Sequence, residues 1–361
     1  RSLITIHDSV IGKVVKQAKQ VPVLINYTVV KAKKSTRYYK KPDRFDLDLI
    51  KKIDEMKSDD WYPSSKLPEG HNTNQPIKSH KFTYVHHFYT KRNLVMLSKL
   101  HELIGRTRHC LLLLFSSHLI NLSEMNRHRF NVSFPYNPFS GTLYVSSLTR
   151  EANILPAYEN KLKRFIFSYY SYSNIISTQS STNIPQIPDN VIDYIFTDPP
   201  FGENIMYSEL NFLWESWLKV LTNNETEAII NKTQSKDLDE YQKLMTDAFS
   251  ENYRILKPGR WMTVVFHNSQ NQVWIAIQEA LEKAGFVVAD VRTMDKQQET
   301  FKQITSSRAV KQDLVISAYK PFGALDQFFG GLTTGTEAGV WKFLDNHLKQ
   351  LPITSEQDGV L

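Results

Sequence analysis

The sequence has little cysteine and no long apolar run. Its 361 residues contain one cysteine, Cys110, so neither an internal disulfide nor a cysteine-rich zinc site can form. The apolar run that includes Cys110 is interrupted by Ser116 and Ser117 and is shorter than the roughly 20 residues that a bilayer-spanning helix needs. We therefore expect a protein of the reducing cytoplasm.

Charge is unevenly distributed along the chain. Residues 1–110 hold 22 Lys and Arg against 10 Asp and Glu, a net charge of +12, whereas the remainder holds 22 against 27, a net charge of −5. Such concentrated basic charge suits a polyanion such as nucleic acid, although a solvated lysine-rich surface gives the same pattern. The candidate DNA contacts are Lys31, Lys33, Lys34, Lys91, Arg92 and Asn93.

The first half of the chain gives a weak pattern of elements. We predict an irregular basic region over residues 1–80, interrupted by a strand at Val21–Val30. Apolar spacing then predicts helices at 93–104, about 107–126 and 154–168, and a strand at Thr142–Ser146.

From about residue 173, strands and helices alternate. The predicted strands are 174–178, 192–197, 261–267, 286–293 and 313–319, and the predicted helices are 206–221, 237–256 and 273–283. Lys257-Pro258-Gly259 is expected to close the second of these helices. This alternation predicts an α/β sheet with helices on its faces. The last two strands lack an intervening helix, which predicts an antiparallel strand at the end of the sheet.

The motif Asp198-Pro199-Pro200-Phe201 follows the predicted strand at 192–197 directly. Ligands of open α/β sheets bind beyond the carboxyl ends of strands. Two prolines fix the backbone and remove two N–H donors, so the loop is rigid and its carbonyls can accept hydrogen bonds.

These residue types suit one kind of chemistry. The Asp198 carboxylate and the Pro199 carbonyl can accept both hydrogens of an amino group, which aims the nitrogen lone pair at a methyl donor. Phe201 can stack on a base that has left the duplex. The alternative is a tight strand-to-helix turn with an aspartate cap.

The stretch from about 173 to 320 resembles the catalytic half of the bacterial adenine-specific DNA methylases. The resemblance rests on Tyr194–Gly202, Leu210–Glu215, Leu256–Trp261, Phe266–Asn268 and Val310–Ser317. The segments Lys16–Pro22 and His87–Asn93 are similar to a long insertion found in one subgroup of that family. The resemblance therefore implies three regions: a basic insertion for target recognition over 1–150, the catalytic half over 151–325, and a C-terminal extension over 326–361.

The resemblance implies a Rossmann-like methyltransferase sheet, S-adenosyl-L-methionine (SAM) as cofactor, and adenine N6 as acceptor. It implies catalytic roles for Asp198, Pro199, Pro200 and Phe201, and cofactor contacts at Ser180, Asp198 and Gly202. Ser180 stands near the place where the family commonly has an acidic residue.

A glycine-rich turn is missing before Asp198. SAM sites of this family need one, because only glycine lets the backbone approach the cofactor. The segment most similar to such a turn, Phe329–Gly335, is interpreted as an ordinary turn. Since the chain starts with Arg1, we expect a C-terminal piece that needs a missing N-terminal half or a second subunit carrying that turn.

Several other functions remain open. The same loop chemistry serves N4-cytosine, RNA or protein amides, and the basic region favours nucleic acid. A different class is a catalytically incomplete fragment that binds DNA or a partner. His86 and His87 lack a second cluster of metal ligands at useful spacing, so no metal is expected.

Overall fold

The computed structural model describes residues 2–31, 34–105, 110–129, 138–164, 175–268, 270–295 and 312–322. Contacts divide the chain into two compact units. The N-terminal unit comprises Arg1–Ser173 and Met206–Glu225, and the sheet unit comprises Asn174–Ile205 and Thr226–Leu361. None of the described helices combines the length and apolar content needed to cross a bilayer.

The N-terminal unit contains two antiparallel hairpins and several helices. Its strands are β1 (Leu3–Asp8), β2 (Lys13–Ala18), β3 (Ile25–Lys31) and β4 (Lys34–Lys40). Its helices are α1 (Arg44–Asp54), α2 (His71–His80), α3 (Lys91–Gly105), α4 (Cys110–Ser116), α5 (Ile154–Arg164) and α6 (Tyr207–Leu218). The predicted helices at 93–104 and 206–221 are thus confirmed with shifted ends. For the helix predicted at 154–168, the described part ends at Arg164.

The prediction of an irregular region over residues 1–80 is wrong. Two hairpins form there, and the predicted strand at Val21–Val30 overlaps only β3. Helix α1 begins at a capping box, in which Asp43 and Asp46 each accept a hydrogen bond from the other's backbone N–H. Local capping and cross-strand pairing therefore order a segment whose composition is typical of a loop.

The predicted strand at Thr142–Ser146 is also wrong. The side-chain amide of Gln75 donates to the Val145 carbonyl and accepts from the Val145 N–H, both at 3.0 Å. A side chain therefore satisfies the backbone groups that a neighbouring strand would otherwise bind.

The helix predicted over about 107–126 is shorter than expected. Helix α4 ends at Ser116, and turns follow as far as Met125. The hydroxyls of Ser117 and Ser123 each donate to the carbonyl three residues earlier, which is a local alternative to helical bonding.

Helix α6 lies in the core of the N-terminal unit. Leu213 and Trp217 are fully buried there. Glu209 is also buried, and its carboxylate accepts from the backbone N–H groups of His71 and Asn72 at the start of α2. Gly70 is required at this point because a Cβ would collide with the Glu209 carboxylate.

The sheet unit is built on four strands in the order β5-β6-β8-β7. They are β5 (Ile192–Thr197), β6 (Leu256–Phe266), β7 (Val287–Asp295) and β8 (Gln312–Tyr319), and helices α7 (Leu238–Ile255) and α8 (Asn271–Lys283) pack with them. Strand β5 is parallel to β6, and β8 is antiparallel to both β6 and β7. The predicted α/β class is confirmed.

Three details of the sheet unit correct the sequence predictions. The antiparallel strand β8 lies between β6 and β7 rather than at the edge, since it returns next to β6. Lys257-Pro258-Gly259 belongs to β6 instead of closing α7, which ends one residue before that strand. In the described part of the predicted strand at 174–178, Ile175 and Ile176 are exposed and form no strand.

Candidate active site

The Asp198–Gly202 loop begins where β5 ends, at the carboxyl end of a parallel strand, as the sequence predicts. Asp198 is exposed, Pro199 is buried, and Pro200 and Phe201 are half-buried. The carboxylate is thus accessible while the prolines anchor the backbone that carries it.

Two side chains from the following elements bind the backbone of this loop. The hydroxyl of Tyr241, on α7, donates to the Pro200 carbonyl at 2.7 Å. The side-chain amide of Asn268 donates to the Phe201 carbonyl at 2.9 Å. Both side chains are buried. No hydrogen bond within the described residues uses the Pro199 carbonyl, the acceptor that the sequence assigns to a ligand.

Asn268 is itself fixed by its neighbours. Its side-chain oxygen accepts from the Gln270 N–H at 2.7 Å, and its backbone carbonyl accepts from the Trp274 indole at 3.0 Å. An amide held in this way can only present its NH₂ group to the loop.

Gly202 closes the loop with a positive φ of 68°. An added Cβ would approach Asn268 and Val273 at 3.3 Å and Ile230 at 3.4 Å. Glycine is therefore needed for both the backbone conformation and the close packing. Its predicted cofactor contact stays a prediction.

The Phe201 ring is held by other rings. It lies edge-to-face against Phe266, with ring centroids 5.4 Å apart, and 6.1 Å from the ring of His267. Such edge contacts fix the orientation of a ring.

His267 is in turn paired with Asp313, at 2.8 Å between Nδ1 and Oδ1. His267 ends the predicted strand at 261–267 and belongs to the segment Phe266–Asn268 of the resemblance, whereas the sequence held no signal for Asp313, which is contributed by β8.

Ser180 lies in a turn of the sheet unit. Its hydroxyl is 2.8 Å from that of Thr182 and accepts from the Thr182 N–H. No hydrogen bond among the described residues joins Ser180 to the Asp198–Gly202 loop. Its cofactor role stays a prediction.

The predicted DNA contacts have different environments. Lys31 is exposed at the end of β3, and Lys34 begins β4, whereas Lys33 lies outside the described residues. Lys91 lies 5.9 Å from the centroid of the Tyr62 ring, and Arg92 is 3.7 Å from Glu151.

Asn93 corrects the sequence prediction. Its side chain is 1% exposed, and its amide donates to the carbonyls of Leu122 and Ala152. A buried amide that binds two backbone carbonyls cannot also reach a base, so Asn93 is structural.

His86 and His87 meet Asp8 in the N-terminal unit. Both Nε2 atoms contact the same oxygen of Asp8, at 2.8 and 2.9 Å, and all three residues are buried. Burial raises the pKa of Asp8, but the hydrogen bonds from the two histidines outweigh that effect, so its pKa lies below the usual value. Burial also lowers the pKa of both histidines.

Asp8 is a third possible metal ligand that the spacing of the sequence did not reveal, since the ligand atoms of the three residues lie within 4.8 Å of one another. The geometry at His87 favours hydrogen bonding over metal binding. The Thr83 N–H donates to Nδ1 of His87, so the proton of the neutral ring is on Nε2 and points to Asp8. That nitrogen then has no lone pair for a metal ion. The group therefore links β1 to the short helix Val85–Phe88.

Comparison with known proteins bears on the sheet unit. Residues 192–349 match the model of the N6/N4 DNA methylase family. The match begins with β5 and includes the Asp198–Gly202 loop, Tyr241 and Asn268, and it covers less than half of the chain. A search of curated proteins finds no significant match.

Solved structures give only distant likeness. A proposed DNA modification methylase from Thermus thermophilus is 14% identical over 38% of this chain and 48% of its own, with a TM-score of 0.25. Its complex with SAM gives 16% identity over the same shares and a TM-score of 0.22. A SAM-dependent methyltransferase from Methanosarcina mazei is 10% identical over 40% of this chain and 66% of its own, with a TM-score of 0.23. This chain thus spans about half the length of the methylase, and no function follows from scores this low.

The segment Phe329–Gly335, which the sequence analysis interprets as an ordinary turn, lies outside the described residues.

Proposed function

We propose that this chain is the catalytic and DNA-reading part of a SAM-dependent DNA methyltransferase that modifies the exocyclic amino group of a flipped base, with adenine N6 as the acceptor. The observation that carries the proposal is the Asp198–Gly202 loop at the carboxyl end of β5, within the segment that matches the DNA methylase family. Phosphoryl transfer and metal hydrolysis need ligand sets that this loop lacks.

The residues of the loop have separate roles in binding and orienting the base. The exposed Asp198 carboxylate accepts one hydrogen of the amino group, and the Pro199 carbonyl accepts the other. Both acceptors act most strongly as positive charge develops on the nitrogen, so they lower the barrier more than they tighten binding. Phe201 stacks on the base. Bound SAM supplies the electrophilic methyl group.

Tyr241 and Asn268 hold the backbone of this arrangement. They donate hydrogen bonds to the carbonyls of Pro200 and Phe201, so the Pro199 carbonyl is left for the substrate. We propose that these are positioning residues, since preorganised acceptors need no rearrangement during the reaction.

The cofactor side is less complete than the acceptor side. Asp198, Gly202 and Ser180 are the residues that we propose to contact SAM, and the sequence before Asp198 has no glycine-rich turn. We therefore propose that a further polypeptide segment, in an N-terminal half or a second subunit, supplies that turn.

The exposure of β5 supports the proposal that a further polypeptide segment packs against the sheet unit. Parallel strands are normally covered on both faces. Tyr194 and Phe196 are nevertheless 54% and 64% exposed, and no described strand pairs with the free edge of β5. A catalytically incomplete DNA-binding fragment is the second candidate, favoured by the same missing turn.

Product analysis tests the proposed function. Duplex DNA would be incubated with labelled SAM and the protein together with any polypeptide that copurifies with it, and the nucleosides separated by mass spectrometry. We expect N6-methyladenine. N4-methylcytosine would overturn the choice of acceptor and leave the loop chemistry intact, whereas absence of any methylated base would favour the non-catalytic fragment.

A further inference from the structure

The hairpin formed by β3 and β4 lies in the most basic part of the chain. Between Asp8 and Asp43 the sequence contains many Lys and Arg residues and no Asp or Glu. Lys40 is paired with Asp43 and Asp46, at 2.9 and 2.7 Å. Among the described ion pairs, none involves Lys31 or Arg37, so their charges remain available to a polyanion.

This hairpin contributes nothing to a core. Every described side chain of β3 and β4 is exposed or half-buried, and Tyr27, Tyr38 and Tyr39 are 41%, 46% and 58% exposed. A two-stranded hairpin is only marginally stable by itself in water. Retaining one with large exposed aromatic rings indicates a surface that is covered when a partner binds.

The register gives the hairpin two distinct faces. The strands pair from Ile25↔Lys40 to Lys31↔Lys34 without a bulge. Tyr27 and Tyr38 form a cross-strand pair on one face, with ring centroids 5.7 Å apart. Thr28 and Arg37 form the adjacent pair, so they lie on the opposite face, together with Tyr39, which is the most exposed of the three rings. A guanidinium and a hydroxyl in this arrangement can donate to base edges and phosphates.

We propose that the β3–β4 hairpin is a DNA-binding ribbon that enters the major groove of duplex DNA, with the Thr28–Arg37 face toward the base edges and Lys31, at the end of β3 on the opposite face, reaching the phosphates beside the groove. The major groove, about 12 Å wide, admits a two-stranded β-ribbon. The identity of the partner as DNA rests on the proposed function. Charge complementarity selects the occupant, because the basic segment contains no acid that would repel a phosphate backbone.

Salt-dependent binding tests the charged contacts. Anisotropy of a labelled duplex would be measured for wild type and for Lys31→Gln combined with Arg37→Gln. The matched control is Lys51→Gln combined with Lys52→Gln, which removes the same charge from exposed positions on α1 of the same unit. We expect the slope of log K against log salt to become shallower by about 1–2 in the hairpin variant. Equal changes of this slope in the hairpin variant and the control would overturn the proposal that the hairpin binds DNA.

Competition tests the groove. Methyl green, which occupies the major groove, should displace the protein, and netropsin, which occupies the minor groove, should not. The reverse order would overturn the proposal, as would tighter binding to single-stranded DNA, since that would make Tyr27 and Tyr38 a base-stacking platform. Circular dichroism would establish that the variants remain folded.

The binding measurement is independent of methyl transfer. DNA binding through the hairpin without any methylation would contradict the proposed function alone. Methylation with undiminished DNA binding in the hairpin variant would contradict the ribbon alone.

Discussion

Phe196 and Trp217 stand on either side of the Asp198–Gly202 loop in sequence and have opposite environments. Phe196, on β5, is 64% exposed, whereas Trp217, on α6, is fully buried and surrounded by Trp61, Tyr89 and Phe115. The N-terminal unit thus closes a core around the helix that follows the loop. In the sheet unit, β5, the strand that precedes the loop, stays exposed. The difference shows that the helix that follows the loop in sequence lies in a closed core, whereas the strand that precedes the loop presents large aromatic rings to solvent.

Truncating both aromatic residues gives the largest expected contrast. Trp217→Ala should lower the free energy of unfolding by about 3–5 kcal/mol, because it leaves a cavity and removes the indole hydrogen bond to Tyr89. Phe196→Ala should change it by less than about 0.5 kcal/mol in this chain, since an exposed ring loses little on truncation. Denaturant unfolding measures both. Equal costs would show that β5 is covered within the chain.

A buried acid in the N-terminal unit makes its stability depend on pH. Burial raises the pKa of Glu124 to about 7, well above the usual value for a glutamate. An acid with a raised folded pKa contributes stability below its unfolded pKa, and that stability is lost as pH rises toward the folded pKa.

The unfolding free energy should therefore fall by roughly 3 kcal/mol between about pH 4.5 and 7 through this group. Glu124→Gln should remove that slope, because the amide stays neutral. Urea unfolding of wild type and variant across this window measures the difference. A wild-type slope that survives in Glu124→Gln would assign it to other groups.

A smaller effect is expected from the side chains that hold the loop. Tyr241→Phe removes the donor to the Pro200 carbonyl, a hydrogen bond worth about 1 kcal/mol. Turnover should fall by about fivefold to tenfold, with little change in KM, because the loop carbonyls lose their alignment. Tyr253→Phe, on the same helix and packed against Phe286, is the control and should keep wild-type turnover. An increase in KM alone would assign Tyr241 to binding.

Local patterns predicted the sheet unit better than the N-terminal unit. Strand β5 has the predicted ends because an apolar run stops at a proline motif, and α8 and β7 follow from apolar periodicity and Gly285. The hairpins were not predicted, apart from the overlap of Val21–Val30 with β3, because their strands are exposed over most of their length and show no alternation of buried and exposed side chains.

The contacts that complete the site were not predictable from local patterns. Tyr241 reaches the loop from 41 residues away, and no spacing in the sequence marks it. Asn268 lies in the segment Phe266–Asn268 of the resemblance, but its contact with the loop, 67 residues away, has no signal in the sequence. Gln75, 70 residues away in sequence, binds the backbone of Val145 where a strand was predicted. The sequence therefore indicates the loop and its chemistry, while tertiary contacts determine how the loop is held.

The central claim is that the Asp198 carboxylate acts directly on the reacting amino group. The measurement is the rate of methyl transfer from SAM to duplex DNA by Asp198→Ala, beside Asp193→Ala. The control removes an exposed carboxylate of β5, the strand before the loop, which pairs with Lys257. We expect Asp198→Ala to lose about a hundredfold or more in turnover while binding DNA normally, and Asp193→Ala to keep its rate. Methyl transfer that survives in Asp198→Ala would contradict the account.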